Sequence, residues 1–434
     1  MSITTRASYD RSYLSTRLFC SDPLVRRPGA PSWGRSACGY PSFAAESNTL
    51  IYVGVTSGSG NYQPGSSLPG GDPGFMRQAL RLARKGLGRT SPNPAVGAVV
   101  VAGDRVVGTG WHRRAGTEHA EVLALREAGD AARGATLYVT LEPCAHHGRT
   151  PPCVEAVLAS GVTRVVAAMQ DPDPLVAGRG LGALREAGVE VEVGMESRAA
   201  ADLNEAYITH RRLGRPFVTY KAAMSLDGRT AAADRTSQWI TGPVARRDVQ
   251  RLRAASDAIC VGIGTVLADD PSLTVRESNT PRRPLRVVVD SLARTPPGAR
   301  ALDGAAPTLV VVTGSAPEDG VRRLREAGAE VMTVAAEGGW VSLAEMLGCL
   351  AARGVVNLLM EGGATLAGSF AAAGLIDRYL FYVAPKLLGG GSAPGVLEGW
   401  SAATIGEARP LILRGTRRMG EDLRLEARPR EGAV

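Results

Sequence analysis

Within "LEPCAHHGRTPPC", residues 141 to 153, two cysteines and two histidines sit among turn-forming residues. Upstream, "EHAEV" places His119 and Glu121 two apart at the start of a helical pattern, where both side chains can point into a pocket beyond the helix end. One His nitrogen and two thiolates give three zinc ligands and leave a tetrahedral position for water. Zinc lowers the pKa of such a water toward roughly 7, and a nearby carboxylate that does not bind the metal can move its proton to a leaving amine. His119, Cys144 and Cys153 are therefore the expected metal ligands, and Glu121 the expected proton shuttle. Taken singly, each cysteine reads more readily as a small buried hydrophobe and His119 as an ordinary helix residue.

The combination is more specific than its parts. Zinc deaminases carry His-x-Glu followed by Pro-Cys-x-x-Cys. Here the first half and Pro143-Cys144 match, while the second cysteine, Cys153, arrives late. The intervening "AHHGRTPP" has to loop out and return, and Gly148, Pro151 and Pro152 are turn residues suited to that detour. His146 and His147 stay open as alternative ligands, substrate-facing groups or exposed residues.

The elements around these residues alternate. "GFMRQALRLARKGLG" has helical spacing with a Gly stop, and "AVGAVVVAGDRVVGTG" reads as a hairpin around a Gly-Asp turn. A helix from about Glu118 to Ala128 follows, and the strand "ATLYVTLEP" delivers Cys144. Next come a short helix after Cys153, the strand "TRVVAAM", a helix near Leu181 to Ala187, the strand "VEVEVG" and the helical stretch "AADLNEAYITHRRLG" before Pro216. Such alternation predicts a layered α/β domain.

Beyond Pro216, "PFVTYKAAM", "AICVGIG", "PLRVVVD", "PTLVVVT" and "EVMTV" are continuous apolar strands separated by helices, the pattern of a mainly parallel sheet. "LRGTRRMGEDLRLEAR" alternates like a half-exposed terminal hairpin. In "LLMEGGATLAGSF" a strand ends in Glu361-Gly362-Gly363 and leads into a helix, whose free N–H groups can hold phosphate oxygens, although a plain tight turn fits equally. "GRGLGA", residues 178 to 183, satisfies Gly-x-Gly-x-x-Ala but lacks an immediately preceding strand, and "VGIGTVLADD" has Leu267 where a third glycine belongs. Neither supports a Rossmann domain.

At 434 residues, with 44% hydrophobic and 21% charged content, the chain has the size and composition of a two-domain globular protein, and no apolar run is long enough to cross a bilayer. The net charge of +8 comes from arginines interleaved with acids, the pattern of solvated helix faces rather than a nucleic-acid stripe. Six cysteines are too sparse for a disulfide framework, which points to a reducing, cytoplasmic setting. Residues 1–74 are crowded with Ser, Gly, Pro and Arg and predict no core; a disordered extension, an upstream start and a transit-like segment all fit, and Met76 is a candidate beginning. The expected division is an extension over 1–74, a first domain over 75–215 and a second over 216–434.

"TSPNPAVGAVVV", "HAEV", "TLEPCAHHGRTPPC" and "DPDPLVAGRGLGALREAGVEV" together resemble the deaminase half of the bifunctional deaminase-reductases of riboflavin biosynthesis, in which the long loop with "GRTPPC" is the rule. "SLDGRTA", "SQWITG", "GTVLADDPSLTVR" and the Glu361 turn resemble the reductase half, over most of 216–424. The resemblance implies a cytidine-deaminase-like three-layer α/β/α domain followed by a dihydrofolate-reductase-like α/β domain. It implies zinc-dependent hydrolysis of the 2-amino group of 2,5-diamino-6-(5-phosphoribosylamino)pyrimidin-4-one, then NADPH-dependent reduction of the ribosyl chain to ribityl.

Roles follow residue by residue from the same resemblance. His119, Cys144 and Cys153 hold zinc, Glu121 moves the proton, and Asn93 contacts the pyrimidine. Ala223, Trp239, Thr265, Asp269, Ser291, Gly362, Gly363 and Gly368 contact NADPH. Ser237, Arg253, Leu273, Arg276 and Glu361 contact the substrate, the arginines through its phosphate, and Lys221 polarises the sugar. Asp173 stands where Asn is expected, which puts one loop contact in doubt. Blander readings make Trp239 a core residue, Arg253 part of a solvated helix face, and Asp269-Asp270 a turn. The implied partner is a phosphorylated pyrimidine, with self-association and neither nucleic acid nor membrane. Rival readings are a nucleoside or RNA-editing deaminase with an unrelated second domain, and a zinc-dependent nucleic-acid-binding module; the open coordination position and the lack of an aromatic-basic stripe argue against the latter.

Overall fold

The computed structural model describes residues 72–147, 151–174, 176–276 and 282–430. The expectations for residues 1–71 and for Arg149 lie outside them. The first half runs α1 (Asp72–Ala83), β1 (Gly97–Ala102), β2 (Arg105–Trp111), α2 (Ala120–Ala128), β3 (Thr136–Val139), α3 (Cys153–Ser160), β4 (Arg164–Ala167), α4 (Arg179–Glu186), β5 (Glu190–Val193), α5 (Ser197–Leu203) and α6 (Glu205–Leu213). Its sheet has the order β2-β1-β3-β4-β5, with β1 antiparallel to both neighbours and β3, β4 and β5 parallel. Period-two alternation sends Val99, Val101 and Val166 to the face covered by α1, and Val100, Leu137 and Val165 to the face covered by α2, α3 and α4. The result is three layers.

Helix α2 carries His119 and Glu121 at its start, so its seat on the sheet sets the chemistry. A side chain at Gly108 or Gly110 of β2 would put its Cβ 2.1 Å from the carbonyl oxygen of Ala124 or Ala120. Glycine at those two positions lets the helix backbone lie directly on the strand.

The second half runs β6 (Phe217–Ser225), α7 (Pro243–Ala255), β7 (Ala258–Gly262), α8 (Ile263–Asp269), β8 (Leu285–Val289), β9 (Thr308–Thr313), α9 (Glu318–Glu326), β10 (Glu330–Val334), the two-residue strands β11 (Ala336–Glu337) and β12 (Trp340–Val341), α10 (Leu343–Ala352), β13 (Asn357–Glu361), α11 (Ala364–Ala372), β14 (Arg378–Ala384), β15 (Leu411–Met419) and β16 (Asp422–Pro429). Nine strands form one sheet in the order β10-β9-β8-β7-β13-β6-β14-β16-β15. It is parallel from β10 through β14, and the β15–β16 hairpin adds an antiparallel edge. Buried apolar rows on both faces of β7, β8 and β9 explain their continuous apolar sequences.

Three expectations are corrected. Helix α1 begins at Asp72, ahead of the boundary set at 75, because the Asp72 carboxylate is held by Arg164 at 2.7 Å and by the Tyr138 hydroxyl. The helical stretch before Pro216 is two helices broken at Asn204, whose buried side chain takes the Ala95 N–H at 2.8 Å and returns its own N–H to the Ala95 carbonyl at 3.0 Å. Trp239 is no core residue: it is 59% exposed, with the Arg246 guanidinium stacked 4.7 Å from its ring centre. Among the described residues no helix is long and apolar enough to cross a membrane.

Candidate active sites

His119 caps the start of α2 with extended backbone, and Cys153 opens α3. Both point at Cys144, which follows β3 and Pro143. His119 Nδ1 lies 3.0 Å from Cys153 Sγ and 3.6 Å from Cys144 Sγ, and the three ligand atoms all fall within 4.8 Å of one another. Zinc bonded to sulfur at about 2.3 Å and to nitrogen at about 2.0 Å in a tetrahedron needs edges of roughly 3.5–3.8 Å. The 3.6 Å separation matches such an edge and the 3.0 Å one is shorter than it, so the donor set fits the metal with a slight opening of the cluster, and the two cysteines meet despite their nine-residue offset. The Cys153 N–H donates to Cys144 Sγ at 3.3 Å, which shows how the start of α3 favours a thiolate there. The Cys153 thiol and His119 also pull the Cys144 pKa down, to about 4, against the opposing effect of burial.

Glu121 is buried beside these ligands, in hydrogen-bond contact with the Cys153 thiol. Burial pushes its pKa up, with His119 opposing, so the carboxyl accepts a proton more readily than an exposed glutamate. A cavity of about 710 Å³ opens in front of it, lined among others by Asn93, His112, His119, Glu121 and Cys144. His112 lies with Nδ1 3.2 Å from the Glu118 carbonyl oxygen and Nε2 3.2 Å from Asn93 Nδ2. Burial lowers its pKa and keeps the ring neutral, so Nδ1–H donates to the carbonyl and Nε2 accepts from the Asn93 amide. Asn93 is thereby oriented with its carbonyl oxygen left for a ligand.

His146 also lines the cavity, whereas His147 is exposed beside Glu155 at 3.5 Å; neither belongs to the ligand cluster. The cavity includes Asp171, Arg179, Tyr207 and Arg211, which the motif reading did not single out. The Tyr207 hydroxyl donates to the Asp171 carboxylate at 3.2 Å, and Asp173 lies 3.7 Å from Arg211. Their positions on α4, α6 and the loop after β4 come from the chain's return across the sheet, which has no local sequence signal.

In the second half, the resemblance-derived residues gather at the carboxyl ends of β6, β7 and β13. Glu361 and Lys221 are direct neighbours in the parallel register of β13 and β6. Arg253 on α7 meets Glu361 at 2.6 and 2.9 Å and the Thr274 carbonyl at 2.9 Å. Arg253 is therefore buried rather than part of a solvated face. Gly362 and Gly363 have φ of +78° and +74° and lead into α11, with the Thr265 hydroxyl facing both. Ala223 is half-buried on β6, and the Ser237 hydroxyl donates to Asp269 at 3.0 Å. Arg276 is exposed, its backbone N–H held by Gln250 at 2.7 Å.

Three of the expected contact residues also have structural partners. Leu273 buries its side chain in the core with Val288 and Val310, so a substrate contact there falls to its main chain. Ser291 takes the Val341 N–H on its hydroxyl at 3.2 Å. A Cβ at Gly368 would lie 1.8 Å from the Glu398 carbonyl oxygen, so chain packing alone calls for glycine there.

A His-Cys-Cys cluster with a buried glutamate on the first sheet, joined to a mainly parallel second sheet with a glycine-led helix start, defines a zinc-type deaminase domain coupled to a reductase-type α/β domain. Residues 71–169 match the cytidine and deoxycytidylate deaminase zinc-binding region, and residues 216–425 match the RibD C-terminal domain. The chain is 44% identical over 359 residues to the riboflavin biosynthesis protein RibD of Bacillus amyloliquefaciens, covering 82% of this chain and 96% of the relative. It is 43% identical to the RibD of Escherichia coli strain K12, covering 81% and 98%. Acinetobacter baumannii RibD superposes with a TM-score of 0.75 at 42% identity, over 83% of this chain and 99% of that one. A diaminohydroxyphosphoribosylaminopyrimidine deaminase/5-amino-6-(5-phosphoribosylamino)uracil reductase from Thermotoga maritima gives 0.73 at 34% identity, over 82% and 98%. The chain belongs to the RibD family of riboflavin biosynthesis enzymes. It is a bifunctional enzyme with a cytidine-deaminase-like zinc domain and a dihydrofolate-reductase-like domain that uses NADPH. That membership sets aside the rival reading of an unrelated second domain.

Proposed function

We propose that the first domain, which begins with α1 at Asp72, removes the 2-amino group of the phosphoribosylated diaminopyrimidinone, and that the second, from Pro216 on, reduces the ribosyl chain of the deaminated product. The observation that carries the first step is the three-ligand cluster, of which His119 and Cys144 line the cavity together with Glu121. Zinc held by His119, Cys144 and Cys153 supplies Lewis acidity and an acidified water. Glu121 takes the proton of the attacking water and hands it to the departing ammonia, a transfer that its raised pKa suits. Asn93, oriented by His112, presents its carbonyl oxygen to the pyrimidine edge. The Arg179 and Arg211 guanidiniums on the cavity wall match the substrate phosphate.

In the second domain NADPH supplies the hydride. Trp239, Thr265, Asp269 and the Gly362–Gly363 turn hold the cofactor, the free N–H groups at the start of α11 taking phosphate oxygens. Lys221 polarises the sugar oxygen at the C1′ centre, with Glu361 balancing its charge from the neighbouring strand. Ser237, Arg276 and the main chain at Leu273 hold the substrate.

The ligand is a small molecule rather than nucleic acid or a membrane surface. A reducing, cytoplasmic setting agrees with Cys144 and Cys153 serving as metal thiolates rather than as a disulfide. Self-association is favoured by β15, an exposed nine-residue edge strand presenting Leu411 and Leu413, with Ile405 nearby in sequence and 93% exposed. A coupled assay on the diaminopyrimidinone substrate, following ammonia and NADPH separately, tests the two chemistries one at a time. Loss of NADPH after ammonia appears is the expected order; cytidine or adenosine as the better source of ammonia would overturn it.

A further inference from the structure

The sequence "GRGLGA", which satisfies a dinucleotide fingerprint without its strand context, has a partner inside the chain. Gly178, Gly180 and Leu181 at the start of α4 donate their N–H groups to the Glu142 carboxylate, at 2.9, 2.9 and 3.4 Å. The Asp171 N–H completes the set at 3.0 Å. Four backbone donors thus converge on one buried carboxylate at a helix N-terminus, where the helix dipole also favours negative charge. The cradle that would suit a phosphate is filled by the chain's own anion.

Glu142 stands two residues before the ligand Cys144, and the peptide between them is clamped from the same turn. A Cβ at Gly180 would lie 1.9 Å from the Pro143 carbonyl oxygen and 3.3 Å from Glu142 Oε1. Glycine is required for α4 to start against that carbonyl. Gly182, two residues on, has nothing within 4 Å of its would-be Cβ. The Glu142 N–H is itself held by the Met169 carbonyl at 2.9 Å, so the segment is anchored on both its main chain and its side chain.

We infer that Glu142, held by the Gly178–Leu181 turn, is a positioning residue that sets the metal ligand Cys144 against His119 and Cys153. The same anchor fixes Asp171 and Arg179, so metal loop and cavity wall move as one unit. The inference rests on the zinc reading of the three ligands.

The test uses the full chain, stripped of metal and titrated with zinc against a chromophoric chelator, together with denaturant unfolding of the zinc-saturated protein. Glu142→Gln and Gly180→Ala are expected to weaken zinc binding by about tenfold to a hundredfold, the usual effect of losing an outer support of a ligand. Gly182→Ala is expected to bind as wild type. Should Glu142→Gln fail to accumulate folded, Glu142→Asp keeps the charge but is one methylene too short to reach both glycine amides, and is expected to weaken zinc binding as well. Zinc affinity in folded Glu142 and Gly180 variants equal to wild type, with a lowered unfolding midpoint alone, would overturn the positioning role. A wild-type chain that takes up no zinc would instead overturn the metal reading beneath it.

Discussion

Arg253 and Glu361, on α7 and at the end of β13, form a buried two-point ion pair with N–O distances of 2.6 and 2.9 Å, and Glu361 is also the cross-strand neighbour of Lys221. One carboxylate therefore balances two cations at the reductase site. Glu361→Gln leaves both uncompensated, and removing one partner of a buried pair costs about 3–5 kcal/mol. Urea unfolding should show a loss of that order, with NADPH oxidation impaired and ammonia release retained. A variant of unchanged stability would contradict the pairing.

Lys221 gives a pH signature. Burial, aided by Arg253, pulls its pKa below the ordinary lysine value, and Glu361 only partly opposes this. Between that lowered pKa and about 10.4, the unfolded chain binds a proton that the folded one has released, so the lysine's contribution to stability improves as pH rises through the window. Lys221→Met removes the proton site. The stability advantage of Lys221→Met over wild type should shrink as pH rises toward 10.4; a pH-independent difference would show that Lys221 titrates normally.

Removing zinc should separate the two activities. Chelation is expected to abolish ammonia release while a supplied deaminated intermediate is still reduced, because the His119 cluster and the Glu361 cluster lie on different sheets. Restoring zinc at a hundredfold excess over its dissociation constant should return about 2.7 kcal/mol of stability to the metal-binding domain. Reduction lost in parallel with ammonia release would mean that the sites are not independent.

The Ser91 hydroxyl donates to Asp257 at 2.8 Å, and Asp257 also receives the Val356 and Asn357 N–H groups at 3.0 and 2.9 Å. A carboxylate of the second half thus tethers the loop that carries Asn93. Ser91→Ala removes a hydrogen bond to a charged group, worth about 1.5–3 kcal/mol. The expected outcome is a raised KM for ammonia release with the KM for reduction unchanged; unaltered deaminase kinetics would show that the tether does not reach the site.

Much of this was legible because it is local. His119 and Glu121 lie in one helical turn, Cys144 follows a proline at a strand end, and the alternation of β1 and the apolar runs of β7 to β9 name their own elements. What stayed hidden depends on partners far along the chain. Asn204 reads as one more residue of a helix until its side-chain amide pairs with the backbone of Ala95, 109 residues away. Arg253 reads as a substrate contact or as part of a solvated helix face, and nothing local shows that Glu361, 108 residues on, pairs with it. "GRGLGA" has the spacing of a phosphate fingerprint without its strand, and nothing local shows that Glu142, 38 residues before Gly180, fills the turn. Nor does anything local show that Leu273 buries its side chain with Val288 and Val310.

The most direct measurement is ammonia release and zinc content of Glu121→Gln in the same preparation. Glu121 touches Cys153 but is outside the ligand set, so the amide should leave one zinc per chain in place while removing the group that moves the proton. Release from the diaminopyrimidinone is expected to fall by about 10²–10⁴-fold with zinc retained and NADPH-dependent reduction intact. Undiminished ammonia release from a zinc-loaded Glu121→Gln chain would contradict the mechanism.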